Sequence, residues 1–383
     1  MSQGALVGRE DRDAEVLLQE FLESPMTAAW TALATRRRYR TGGVVRKLNA
    51  AAHDVCENDP LVALTFAEAA ISVAEALPDD LYPAGAVNRL RGTAWKERAN
   101  AQMLLGQLPQ AHDSLDRAER AYRKSPKDSL GPSITALVRA GVLYEQERFD
   151  EAMATAERAE LGFAHSSDEQ RRMDALFLRG AILQRSGQPR GAVPLFLQII
   201  DYGEHIESPL LVAHGSYALA NCEVDLGNLS EASLHFHNAL IIFRAFGAAR
   251  PLVLTEWGMA RVVLHSGRSA EAIRRLRDVA AGLERRGLVT DAALAGLDIA
   301  EALLATGNPR QIVELAQHIF QVLQEAGVLT GALAAVAYLK EAAAAGTLTS
   351  EAVKEIRVFL RRAERQPDLR FVPPPPPPPE ESV

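Results

Sequence analysis

A turn residue recurs almost every forty positions along this chain: Gly106, Glu147, Gly187, Gly227, Gly267 and Gly307. Five residues after each stands a small or aliphatic side chain, Ala111, Ala152, Ala192, Ala232, Ala272 and Ile312. One compact core cannot impose so strict a spacing over so long a stretch. Each period must be one supersecondary unit that cannot bury its apolar face alone, so the units stack, and the long inner surface of the stack is the natural place for function.

The unit from 207 to 247 displays the grammar. ESPLLVAHGSYALANCEVDLG carries Leu211, Ala218, Leu219, Val224 and Leu226 at helical spacing and stops at Gly227, the residue best suited to the left-handed conformation that ends a helix. NLSEASLHFHNALIIFRAFG restarts with Ser230 as N-cap and Glu231 in the first turn. It places Ala232, Phe236, Ala239 and Phe243 on one face, and stops at Gly247. Two antiparallel helices per period are expected. Pro109, Pro189 and Pro309 stand at the start of the second helix elsewhere, where proline costs no hydrogen bond.

These residues resemble the tetratricopeptide repeat. Trp95, Ala99, Gly106, Ala111, Leu115 and Ala118 fall at that family's large, small, turn, small, large and small positions. Gly180, Gly187, Ala192, Phe196 and Ile199 repeat the series, as do Ala220, Gly227, Ala232, Phe236 and Ala239. The unit is 40 or 41 residues rather than the usual length of about 34, which is similar to the longer-helix variant of bacterial MalT-like regulators. The resemblance implies an all-α, α-α superhelix, a solenoid of about seven helix-turn-helix repeats. Those repeats span 44–327, the first with Asn58 at the glycine place. Helical caps are expected at 1–43, with helices at 11–23 and 26–39, and at 328–366, with helices at 329–345 and 350–365. Residues 367–383 contain seven consecutive prolines, Pro373 to Pro379, and are expected to form a disordered tail.

Composition narrows the function. The net charge of −7 and pI near 5.8 argue against a nucleic-acid or anionic-membrane binder. Two cysteines, Cys56 and Cys222, are too few for a disulfide framework, which points to a reducing, cytoplasmic setting. No apolar stretch is long enough for a membrane span. No catalytic or cofactor motif is legible: Leu6-Val7-Gly8-Arg9-Glu10 has no phosphate loop after it, and His235 and His237 point in different directions on one helix. Cys56 near His53 lacks a third triad member. The basic run Arg36-Arg37-Arg38-Tyr39-Arg40 is read as a helix C-terminus whose dipole favours cations. A non-enzyme without cofactor or metal is expected.

Tetratricopeptide solenoids bind through the first helix of each repeat. The residue ten before each turn residue is Leu48, Lys96, Leu137, Phe177, Tyr217, Trp257 and Leu297. One helical turn further lie Ala52, Asn100, Gly141, Ala181, Asn221, Arg261 and Glu301. Phe177, Tyr217 and Trp257 either form an aromatic ladder on an open groove or fill a closed one. Candidate partner-binding residues are therefore Lys96, Asn100, Leu137, Phe177, Tyr217, Asn221, Trp257 and Arg261, and the expected partner is a protein or peptide. Lys96 and Asn100 match two positions of the family's carboxylate clamp, but Val138, Asp174 and Leu178 stand where its remaining groups belong. Two functions fit: a protein- or peptide-binding scaffold, or a sensory module that binds a small ligand or signalling peptide and acts on a transcription or sigma-factor partner.

Overall fold

The periodic residues take the backbone conformation that their spacing requires. Gly106, Glu147, Gly187, Gly227, Gly267 and Gly307 all have positive φ, between 59° and 81°. A second series, Ser167, Glu207, Gly247, Gly287 and Gly327, lies in the same region and ends the second helix of successive pairs. Each closes its helix in the same way: at Gly227 the amide of Asn228 bonds Glu223 O at 2.8 Å and that of Gly227 bonds Val224 O at 3.0 Å. Glu147, Ser167 and Glu207 reach this region despite a Cβ, at a strain that glycine avoids.

The computed structural model describes residues 3–22, 36–57, 59–78, 81–125, 130–328, 330–363 and 369–374. Among them every regular element is helical. The chain divides into two units, Met1–Ile182 and Leu183–Val383. The first contains α1 (Gln3–Leu22), α2 (Gly42–Val55), α3 (Pro60–Glu75), α4 (Ala84–Leu104), α5 (Leu108–Arg123), α6 (Gly131–Glu145), α7 (Phe149–His165) and most of α8 (Glu169–Arg185). The second contains α9 (Pro189–His205), α10 (Pro209–Asp225), α11 (Leu229–Ala245), α12 (Ala249–His265), α13 (Ser269–Glu284), α14 (Val289–Ala305), α15 (Pro309–Glu325), α16 (Thr330–Ala344) and α17 (Ser350–Ala363). From α2–α3 to α14–α15 these make seven successive helix pairs, the number expected from the period.

Small side chains set the helix spacing. Ala111, Ala152, Ala192, Ala232, Ala272 and Ile312 are all fully buried. At one such approach, a Cβ on Gly258 of α12 would stand 2.3 Å from the ring of Phe236 on α11, so only glycine fits there. In the first unit Val45, Leu48, Phe66 and Leu77 form a core with Val87 and Ala94 of α4. In the second, a larger core runs from α12 to α17 through Leu276, Leu297, Leu339 and Leu360.

Several local expectations are corrected. Ser230 is not an N-cap: α11 starts at Leu229 behind Asn228, and no side chain caps it. At α17 a side chain caps the helix, Thr349 Oγ1 accepting from Ala352 N at 3.1 Å. Arg37–Tyr39 is a short 3₁₀ turn rather than a helix C-terminus; Tyr39 is buried, with the Arg38 guanidinium 4.7 Å from its ring centroid. Most of the helix expected over 26–39, Asn58 and most of the proline run lie outside the described residues. Leu369 and Phe371, placed by the sequence reading in a free tail, pack on the last two helices: Phe371 meets Phe359 edge-on at 5.1 Å and Tyr338 at 5.7 Å.

Candidate ligand-binding site

A cavity of about 600 Å³ opens in the first unit. Helical periodicity supplies two of its walls. Arg46, Asn49, Ala50 and His53 form one stripe of α2, and Leu90, Thr93, Lys96 and Glu97 one of α4. A third wall is the start of α8, with Asp168, Gln170, Arg171 and Asp174.

Glu97 is the hub, 4% exposed. Its carboxylate pairs with Lys96 Nζ, accepts from Asn100 Nδ2 at 3.1 Å and lies 3.7 Å from His53 Nδ1, a looser contact than a hydrogen bond. Burial pushes the Glu97 pKa up, but His53 and Lys96 outweigh it and the net shift is downward. The same contact with Glu97 raises the His53 pKa against the opposing effect of burial. The two residues that match a carboxylate clamp therefore do hold a carboxylate, and it is the chain's own.

Two polar groups of the wall are left over. Asn49 is 5% exposed, and among the described residues neither its Nδ2 nor its Oδ1 has a hydrogen-bond partner. A buried amide without partners costs about 1–3 kcal/mol. Asp174 makes no ion pair among the described residues. It touches solvent, yet the surrounding protein withdraws enough water to raise its pKa, aided by Asp168 and opposed by Arg171 and His53. On a further side Arg46 pairs with Asp11 at 2.8 Å, which ties α1 to the cavity wall.

Burial pushes the Cys56 thiol up to about 11, so it is no thiolate nucleophile at neutral pH. Among the described residues no group of histidines, cysteines and carboxylates could hold a metal, and no helix is long and apolar enough to cross a membrane.

Of the eight sequence candidates, Lys96 lines the cavity and Asn100 bonds its hub. Leu137 packs beside Phe163 instead, and Phe177 is half-buried outside the cavity lining. In the second unit Tyr217 is half-buried with its ring 5.9 Å from Phe236, and Asn221 Nδ2 donates to Tyr217 O at 2.9 Å. Trp257, also half-buried, donates its indole N–H to Asp298 at 2.7 Å, and Arg261 lies one turn further along α12. Sequence reasoning missed Asn49 and Glu97. Both stand one place away from the residues that the period picks out, Asn49 after Leu48 and Glu97 after Lys96, and no fixed spacing singles them out.

No protein-family model matches the chain, and no curated protein matches it. Its structure is similar to that of a Rap protein complexed with competence and sporulation factor, at a TM-score of 0.63 and 15% identity over 84% of this chain and 87% of that one. It is also similar to a signal transduction ATPase with a tetratricopeptide repeat sensor from Pyrococcus horikoshii, at a TM-score of 0.55 and 14% identity over 93% of this chain and 53% of that one. The fold is tetratricopeptide-like. A third similar structure is the Rap conjugation gene regulator of the plasmid pLS20 in complex with the Phr* peptide, at a TM-score of 0.53 and 16% identity over 84% and 76% of the two chains. At these identities the likeness speaks for fold alone.

Proposed function

We propose that the chain is a non-enzymatic, cytoplasmic regulator of the long-repeat tetratricopeptide kind that binds a peptide in the first-unit cavity. One observation carries this reading: a cavity of about 600 Å³ with an unpartnered, buried Asn49 amide in its wall. An asparagine side chain donates and accepts at once, the pattern that a peptide group complements. The volume falls within the usual range for ligand sites, about 300–1,000 Å³. Asp174 offers a carboxylate for a basic group of the ligand.

The test is selection of random peptides on the immobilised full chain. Peptides enriched by the wild type should lose at least about tenfold in affinity on Asn49→Ala and on Asp174→Asn, with helicity unchanged. Failure to enrich any peptide, or equal binding by both variants, overturns the reading.

A sensory role is favoured by the comparisons, since one similar structure is a conjugation gene regulator in complex with a peptide. On this reading the bound peptide alters capture of a transcription or sigma-factor partner. Crosslinking in the native cell with and without an enriched peptide tests it: an unchanged set of crosslinked proteins removes it.

A further inference from the structure

The second unit carries a groove of its own, independent of the first-unit cavity. Residues 369–372 lie beside α17, and between them and one stripe of that helix, Lys354, Val358, Phe359 and Arg362, opens a space of about 360 Å³. The segment is held in place: Phe371 meets Phe359 and Tyr338, and Leu369 O approaches Gly331 of α16 so closely that a Cβ there would stand 2.5 Å from it. The groove therefore has two fixed walls.

Two apolar side chains in its lining face water, Val358 at 55% and Val372 at 79% exposure. The charged lining is lopsided, with Lys354, Arg362 and Arg370 against Glu351 and Glu355. Lys354 pairs with Glu351 at 3.3 Å, whereas Arg370 is exposed and makes no ion pair or hydrogen bond with any described residue. An apolar trough with a surplus cation suits a stiff apolar rod that carries acid at one end.

The sequence contains such a rod. Pro373 to Pro379 favour polyproline II, in which seven residues at about 3.1 Å each span about 22 Å, and Glu380 and Glu381 follow. α17 has 14 residues and is about 21 Å long. A run already stiff loses little entropy on docking. A chain's own groove is out of its run's reach: the run begins where the wall ends, at Val372, and ring-locked φ angles prevent it from turning back on itself. A second copy has no such restriction.

We propose that the groove takes the proline run of a second copy, so that two chains exchange tails about a two-fold axis. Val358 and Val372 then cover the prolines, and Arg370 receives Glu380 or Glu381 and fixes the register.

Light scattering of the full chain across a range of concentrations tests this. The wild type should pass from monomer to dimer. An excess of the synthetic peptide PPPPPPPEESV, residues 373–383, should return it to monomer, whereas the same peptide with glycine for every proline should not. Val358→Glu places a charge against the prolines and should weaken the dimer at least about tenfold. Leu234→Glu makes the same change at an exposed side chain of α11 and should leave it unchanged. Circular dichroism checks that each variant is folded. A chain that is monomeric at every concentration overturns the proposal, even where fluorescence anisotropy shows the peptide bound, which would assign the groove to a proline-rich segment of another protein. A dimer that survives excess peptide, or that Leu234→Glu weakens equally, overturns it as well.

Discussion

Arg357 of α17 and Asp298 of α14 form an ion pair at 2.7 Å in which the carboxylate is 2% exposed. The pair joins the last of the described helices to the helix three elements earlier. Removing one partner strands the other: Arg357→Gln should cost about 3–5 kcal/mol. Chemical denaturation reads this directly. A loss under about 0.5 kcal/mol would mean that Asp298 finds water or another cation in its place.

Trp257 belongs to the same junction, and its role separates from that of an exposed anchor by which quantity moves. Trp257→Ala should open a cavity and cost about 3 kcal/mol or more of stability, whereas Trp257→Phe should lose only the bond to Asp298, about 1–3 kcal/mol. Unchanged stability in Trp257→Ala would return this ring to the open-groove reading.

Ala232 lies where α10, α11 and α12 converge and is fully buried. Ala232→Leu should overpack that junction and cost about 1–3 kcal/mol. Because neighbouring repeats contribute separable terms, the damage should be local. Hydrogen exchange should quicken in α10–α12 first; uniform quickening across the second unit would contradict this.

The segment after α17 contains a dividing point. Ending the chain at residue 368 removes Leu369 and Phe371 from α16 and α17 and should cost about 1–3 kcal/mol of stability. Ending it at 372 keeps both and should leave the melting temperature unchanged. Equal melting of the two truncations would show that the Phe371 contacts contribute nothing.

His53 and Glu97 predict a pH dependence with a definite sign. The folded state raises the His53 pKa, so its contribution is complete below the ordinary value of about 6.5 and fades as pH rises through the raised value. Glu97 is lowered, so its contribution is present above the ordinary value of about 4.3 and fades as pH falls through the lowered one. Between those ordinary values both contributions are present. Since the His53 side chain is 68% exposed, the effect is small and best read at low salt. The wild type should lose more stability from pH 6 to 8 than His53→Gln does; identical slopes would exclude the pair as a source.

Lys96 and Asn100 are legible as candidate site residues because both stand at fixed distances before Gly106. Their partner is not. Glu97 follows Lys96 directly, and nothing local indicates that its side chain, rather than a ligand's, receives both of them. Asn49 is likewise one polar residue on an otherwise apolar stretch of α2, and its lack of partners exists only once α2, α4 and α8 enclose it.

By itself the sequence determined the repeat, the helix pairs and their turns, because these depend on neighbours within one period: a residue tolerant of left-handed backbone, a small residue five places on, and apolar faces at helical spacing. Tertiary structure alone decided which charges meet. Arg357 and Asp298 are 59 positions apart, and Phe371 finds Tyr338 only after α17 has folded onto α14 and α16. A period specifies contacts between adjacent units, and these contacts fall outside it.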